Sequence, residues 1–118
     1  MKQNNRATGS RYEEQAAAFL TGLHYEIIER NFRCRSGEID LIAKDEAYLV
    51  FIEVKFRKTG VSGDPAEAVT YHKQIKIINT AKYYLLTHGY SEDTPCRFDV
   101  VAVTEQDLRV IKDAFWSC

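Results

Sequence analysis

The sequence predicts a single α/β domain: a central mixed β-sheet flanked by helices. Three observations predict it. Two stretches carry apolar residues at helical spacing, several shorter ones are dense in β-branched and aromatic residues, and the order reads helix, three strands, helix, one or two strands. A chain of 118 residues, 45% hydrophobic and 28% charged, is large enough for one sheet-and-helix core and has the composition of an ordinary globular protein. Residues 1–8 are expected to be a frayed or disordered N-terminus, and residues 9–118 the domain.

The first helix is read from about Thr8 to Leu23, with Tyr12, Ala16, Phe19, Leu20 and Leu23 on its apolar stripe. Glu13 falls at the edge of that stripe and Glu14 turns toward water. Tyr25–Arg33 alternates as a strand near the sheet edge. Gly37–Lys44 and Ala47–Arg57 follow as two central strands joined by a short turn. KTGVSGDP is a glycine-rich loop, and Asp64–Glu67 has the form of a helix start, with Asp as cap and Pro at the first position. Thr70 offers a second cap to a long helix whose apolar face is read as Ile75, Ile78, Ala81 and Leu85, with Ile77 and Tyr84 beside them. Gly89 closes it. Cys96–Thr104 is a buried strand and Leu108–Phe115 a last short one.

The central pair of strands carries charge where core strands are bare: Asp40 in the first, Glu53 and Lys55 in the second. Ionised groups are costly to bury unless they pair or bind a metal. Strand side chains alternate, so Glu53 and Lys55 share a face. A two-residue turn at Glu46–Ala47, or a four-residue one, sets Asp40 opposite Glu53, with Cβ atoms about 4.5–5.5 Å apart. An odd loop separates them onto opposite faces. Two facing carboxylates repel, and a divalent cation between them relieves the repulsion. The hard oxygen donors suit Mg²⁺ or Mn²⁺. The helix that bears Glu13 is expected over the same face, where Glu13 is either a further ligand or a charge complementing the helix dipole. The rival reading makes Asp40 a carboxylate bonded to backbone amides, and Glu53 with Lys55 a salt bridge. In the favoured register Glu38 faces Lys55 as its partner.

Charge and cysteines narrow the function classes. The net charge of −1 gives no global case for nucleic acid, although residues 30–82 hold 10 Lys and Arg against 7 Asp and Glu. Arg33, Arg35, Arg57, Lys58 and Lys73 flank the charged strands in sequence and are candidate phosphate contacts. No helix-turn-helix, zinc-finger or aromatic stacking motif is present, so DNA shape or branching is the expected target. Cys34, Cys96 and Cys118 are scattered, without zinc spacing, and read as free thiols. His24, His72 and His88 fall outside the chemistry. No apolar run reaches the roughly 20 residues of a membrane span, and the N-terminus lacks a signal-peptide core. The cytoplasm is the expected compartment.

Asp40 followed by Glu53-x-Lys55 resembles the acidic residue and (Asp/Glu)-x-Lys pattern of the restriction-endonuclease-like superfamily. With Glu13 added, the order is similar to that of archaeal Holliday-junction resolvases. Residues 9–115 resemble the uncharacterised bacterial YraN-like family, through Asn31–Phe32–Arg33, Gly37–Glu38–Ile39–Asp40, Phe51–Ile52–Glu53–Val54–Lys55, Pro65–Ala66–Glu67–Ala68–Val69, Lys73–Gln74 and Arg97–Phe98–Asp99. The resemblance implies a nuclease-like core with Glu13, Asp40, Glu53 and Lys55 as catalytic residues, the three carboxylates as Mg²⁺ or Mn²⁺ ligands, and DNA as substrate, branched or a recombination intermediate. A homodimer would match two-fold junctions. The alternative is a nucleic-acid- or protein-binding module that keeps the fold with little or no turnover.

Overall fold

The computed structural model describes residues 2–58 and 69–115, with side chains described from Arg11 onward in those ranges. The glycine-rich loop and the Asp64–Glu67 helix start fall outside the described residues. Seven elements follow in order: α1 (Lys2–Gly22), β1 (Glu26–Cys34), β2 (Gly37–Asp45), β3 (Tyr48–Phe56), α2 (Tyr71–Thr87), β4 (Cys96–Val103) and β5 (Leu108–Phe115). The first helix begins at Lys2, ahead of the start that its apolar stripe marks.

The strands form one five-stranded sheet in sequence order, β1-β2-β3-β4-β5. Neighbours pair antiparallel except β3 and β4, which run parallel because the chain between them includes α2. The β2–β3 turn is Glu46–Ala47, with Glu46 at φ +54°, the positive sign that a II′ hairpin turn needs at its first residue.

Alternation along β3 divides the core into two layers. Leu49 and Phe51 face α2, packing with Ile42, Phe98, Val100, Ile77, Ala81 and Tyr84. Val50 and Ile52 face α1, packing with Leu41, Ala43, Val101, Ala16, Ala17 and Leu20. Glu53 continues the Leu49–Phe51 side, so α2 lies over its face. The expectation that α1 covers that face is corrected: α1 packs on the other.

In α2 the phase also differs from the sequence reading. The fully packed residues are Ile77, Thr80, Ala81 and Tyr84, and Ile75 is 39% exposed. Ile75 and Ile77 sit two residues apart, on opposite sides of a 3.6-residue turn, so only one can face the sheet. Thr80 can be buried because its hydroxyl donates to the Lys76 carbonyl at 2.8 Å. Thr70 caps the helix as expected, accepting from the Lys73 N–H at 3.2 Å. Its exit uses Gly89 at φ +74° and a Tyr90 N–H to Leu85 carbonyl bond of 2.9 Å. No described helix is long and apolar enough to cross a membrane.

Candidate active site

The β2–β3 ladder runs from Asp45–Tyr48 to Leu41–Ile52, and its next opposed residues are Asp40 and Glu53. There the backbone pairing stops. The Val54 N–H donates instead to the Asp40 carboxylate, at 2.8 Å. The side chain thus replaces a backbone acceptor, and the two strands part beside it.

Asp40 and Glu53 lie close enough for the carboxyl of one to act on the other. Glu53 is 6% exposed, so water screens it poorly. Burial first, and then the Glu53 charge, push the Asp40 carboxyl up to about 8, while the Val54 N–H opposes the rise. The Asp40 carboxyl therefore resists losing its proton near neutral pH.

Three further groups converge on this pair. Lys73, from the first turn of α2, places Nζ 3.2 Å from Glu53 Oε2. Glu13, from α1, feels the charges of Glu38 and Glu53. Its carboxyl is raised mainly by burial, against a hydrogen bond from Asn31 and the Arg33 charge. Lys55 lines the same cleft, which has a volume of about 320 Å³ and is bounded by Tyr12, Glu13, Asp40, Glu53, Lys55 and Lys73, with Val54 and Phe56 behind. Tyr12 stacks on Phe56 at a centroid distance of 4.4 Å, forming an aromatic wall between α1 and β3. The cleft lies where the strands separate, so both helices reach it from opposite faces of the sheet.

The expected four-residue constellation of Glu13, Asp40, Glu53 and Lys55 therefore lines one cleft, but its carboxylates are not equivalent. Among the described residues, no three of His, Cys, Asp and Glu are arranged to hold a metal ion. The two carboxyls that meet are Asp40 and Glu53, with Glu13 at the rim. Their donor chemistry fits a hard divalent cation: two facing carboxyls offer oxygen ligands, and the Lys73 ammonium on Glu53 is positive charge that a metal ion could replace. Asp40 does bond to a backbone amide, as the rival reading held, and it also meets Glu53.

The flanking residues divide. Arg33 is exposed and bonds the Glu38 carboxylate at 3.2 Å, so Glu38 is the partner of Arg33, and the expected Glu38–Lys55 pair is corrected. The opposition of residues 38 and 55 needs the ladder to continue, and it ends at Leu41–Ile52. Gln74 donates from Nε2 to the Val69 carbonyl at 3.0 Å, a local role at the start of α2. Arg35 and Lys58 are exposed near strand ends, and Arg57 joins its N–H to the Val103 carbonyl at 2.9 Å. All three histidines are exposed.

A second polar cluster went unread in the sequence. The Tyr25 hydroxyl donates to Asp99 at 2.8 Å, Arg97 donates to Asp99 at 2.9 Å and to Asp45 at 2.8 Å, and the Asp113 N–H donates to Asp99 at 2.9 Å. Asp99 is fully buried and every oxygen is used. This network ties β4 to β2, β5 and the start of β1, at the end of β3 away from the cleft. Its signal was available: Arg97-x-Asp99 places two charges on one face of an apolar strand, as Glu53-x-Lys55 does.

The chain is similar to known proteins along nearly its whole length. The profile of the uncharacterised protein family UPF0102 matches residues 12–103, which include Glu13, both central strands and the Arg-x-Asp strand. A UPF0102 protein of Lachnoclostridium phytofermentans is 50% identical over 112 residues, covering 95% of each chain. One from Geotalea daltonii is 46% identical, over 97% of this chain and 93% of its own. Another, from Clostridium botulinum, is 42% identical over 94% and 95%. With this agreement along nearly the whole chain, the protein belongs to the uncharacterised family UPF0102, related by classification to restriction-endonuclease-like and Holliday-junction-resolvase proteins.

Proposed function

We propose that the chain is a Mg²⁺- or Mn²⁺-dependent DNA endonuclease that hydrolyses phosphodiesters and selects DNA by shape or branching. The observation that carries the reading is the facing Asp40–Glu53 carboxyl pair in the cleft that Lys55 lines. Asp40 and Glu53 would hold the cation, with Glu13 as a third oxygen donor. When bound, such a cation supplies positive charge to a phosphodiester and acidifies water.

The protein's own groups do the rest. Lys55 orients or deprotonates the attacking water, or steadies the charge that develops on the phosphate oxygens. Water adds to phosphorus, the P–O ester bond breaks, and the leaving oxygen takes up a proton. Arg33, Arg35, Arg57, Lys58 and Lys73 supply phosphate contacts, which position the duplex without reading its sequence. Partial burial of the site strengthens each of these interactions relative to water.

A second reading, a binding module without turnover, is favoured by the same cleft: Glu13 stands apart from the pair, and Lys73 already neutralises Glu53. Cleavage of linear, flapped and four-way DNA in Mg²⁺ and Mn²⁺ separates the two. Cutting that disappears in both Asp40→Asn and Glu53→Gln supports the nuclease. DNA binding without cutting on every substrate supports the module.

A further inference from the structure

Lys73 is placed against its helix. It lies in the first turn of α2, where the helix dipole is positive and a cation is disfavoured, and that turn contains no acidic residue. Its side chain is 44% exposed, so full hydration was open to it. The ammonium nevertheless lies 3.2 Å from the buried Glu53 carboxylate, on Oε2. The charges of Glu53, Asp40 and Glu38 all act on it favourably. The acidic cleft thus holds a tethered cation on one of the two carboxylates that the proposed function assigns to a metal ion.

We propose that Lys73 is a displaceable counter-ion: its ammonium occupies the Glu53 carboxylate until a divalent cation takes that position, and is then free to contact the anionic substrate. The inference rests on the metal-binding reading of the Asp40–Glu53 pair. It gives Lys73 a role distinct from that of Lys55. A lysine that only strengthened the site would help it bind metal; a displaceable one competes with the metal. Tethering also keeps the acidic pair neutralised while the site is empty, and delivers a positive charge to the cleft mouth when metal and DNA are both present.

The competition has a readout that needs no turnover. Mn²⁺ affinity is measured by calorimetry at pH 8.5, without DNA, for the parent, Lys73→Met and Lys73→Arg. A half-exposed ion pair is worth up to about 1 kcal/mol, so Lys73→Met is expected to bind Mn²⁺ roughly two- to fivefold tighter than the parent. Lys73→Arg keeps the charge and is expected to keep the parent affinity. Because the side chain is half-exposed, both variants should fold, and urea midpoints near that of the parent check this. Equal or weaker binding by Lys73→Met overturns the inference while leaving the metal site standing, as does an equal gain in Lys73→Arg. Absence of Mn²⁺ binding in all three proteins overturns the inference and the metal reading together.

Discussion

The Asp40 carboxylate accepts the Val54 N–H at 2.8 Å, in place of a backbone acceptor, where β2 and β3 stop pairing. One side chain therefore ends the ladder and also supplies half of the carboxyl pair. The contact holds Asp40 beside Glu53 despite their mutual repulsion, and the following predictions depend on it or on the frame around it.

Stability should fall as pH rises from about 4 through about 8. The folded state raises the Asp40 carboxyl to about 8, and Glu13 shifts in the same direction, so the folded chain binds more protons than the unfolded one in that window. Stability linked to a raised carboxyl is fully present below the unfolded value and is lost as pH passes the folded one. Urea midpoints at pH 5.5 and 8.5 test this. The parent should lose more stability over that interval than Asp40→Asn, which keeps an oxygen for Val54 but has no proton to lose.

Lys55→Ala should keep Mn²⁺ and DNA binding and lose at least about 100-fold in cleavage, the lower range for an acid–base or charge-stabilising group. Asp40→Asn should lose metal and cleavage together. Parent-like cleavage by Lys55→Ala would make the lysine a structural cation.

Arg97→Met should destabilise the fold by about 3–5 kcal/mol, because it leaves the fully buried Asp99 carboxylate without its cation. Tyr25→Phe removes one hydrogen bond to the same carboxylate and should cost about 1.5–3 kcal/mol. Denaturant unfolding measures both. Equal small losses would show that the network is solvated.

Gly37→Ala should cost about 1–3 kcal/mol from backbone strain alone. Gly37 sits at φ +151°, and an added Cβ would lie 3.3 Å from Thr80 Oγ1 and 3.5 Å from Lys76 Cβ. Unfolding midpoints comparable to the parent would show that α2 can retreat from the start of β2.

The strands and their turn were legible because β-branched density and a two-residue turn are local signals. The Asp40–Glu53 meeting followed from turn parity alone. What failed was non-local. The α2 sequence has apolar residues on two phases, and only the sheet selects Ile77, Ala81 and Tyr84 over Ile75. Which helix takes which face is likewise absent from either helix's own pattern. Glu38 was assigned to Lys55 by extending a ladder that Asp40 itself cuts short. The Lys73–Glu53 ion pair was not legible because nothing local links the two, twenty residues apart in the chain.

The parallel pairing of β3 with β4 also orders the protein's biogenesis. Glu13, Asp40, Glu53 and Lys55 all precede β4 in the chain. The β1–β3 meander can form early, from contacts close in sequence, whereas the β3–β4 pairing must wait for α2 and for Cys96–Val103. Until then Glu53 lacks both Lys73 and its parallel neighbour Val100. A chain in which β4 has not yet paired thus carries Asp40, Glu53 and Lys55 on an open hairpin edge, without the groups that enclose them.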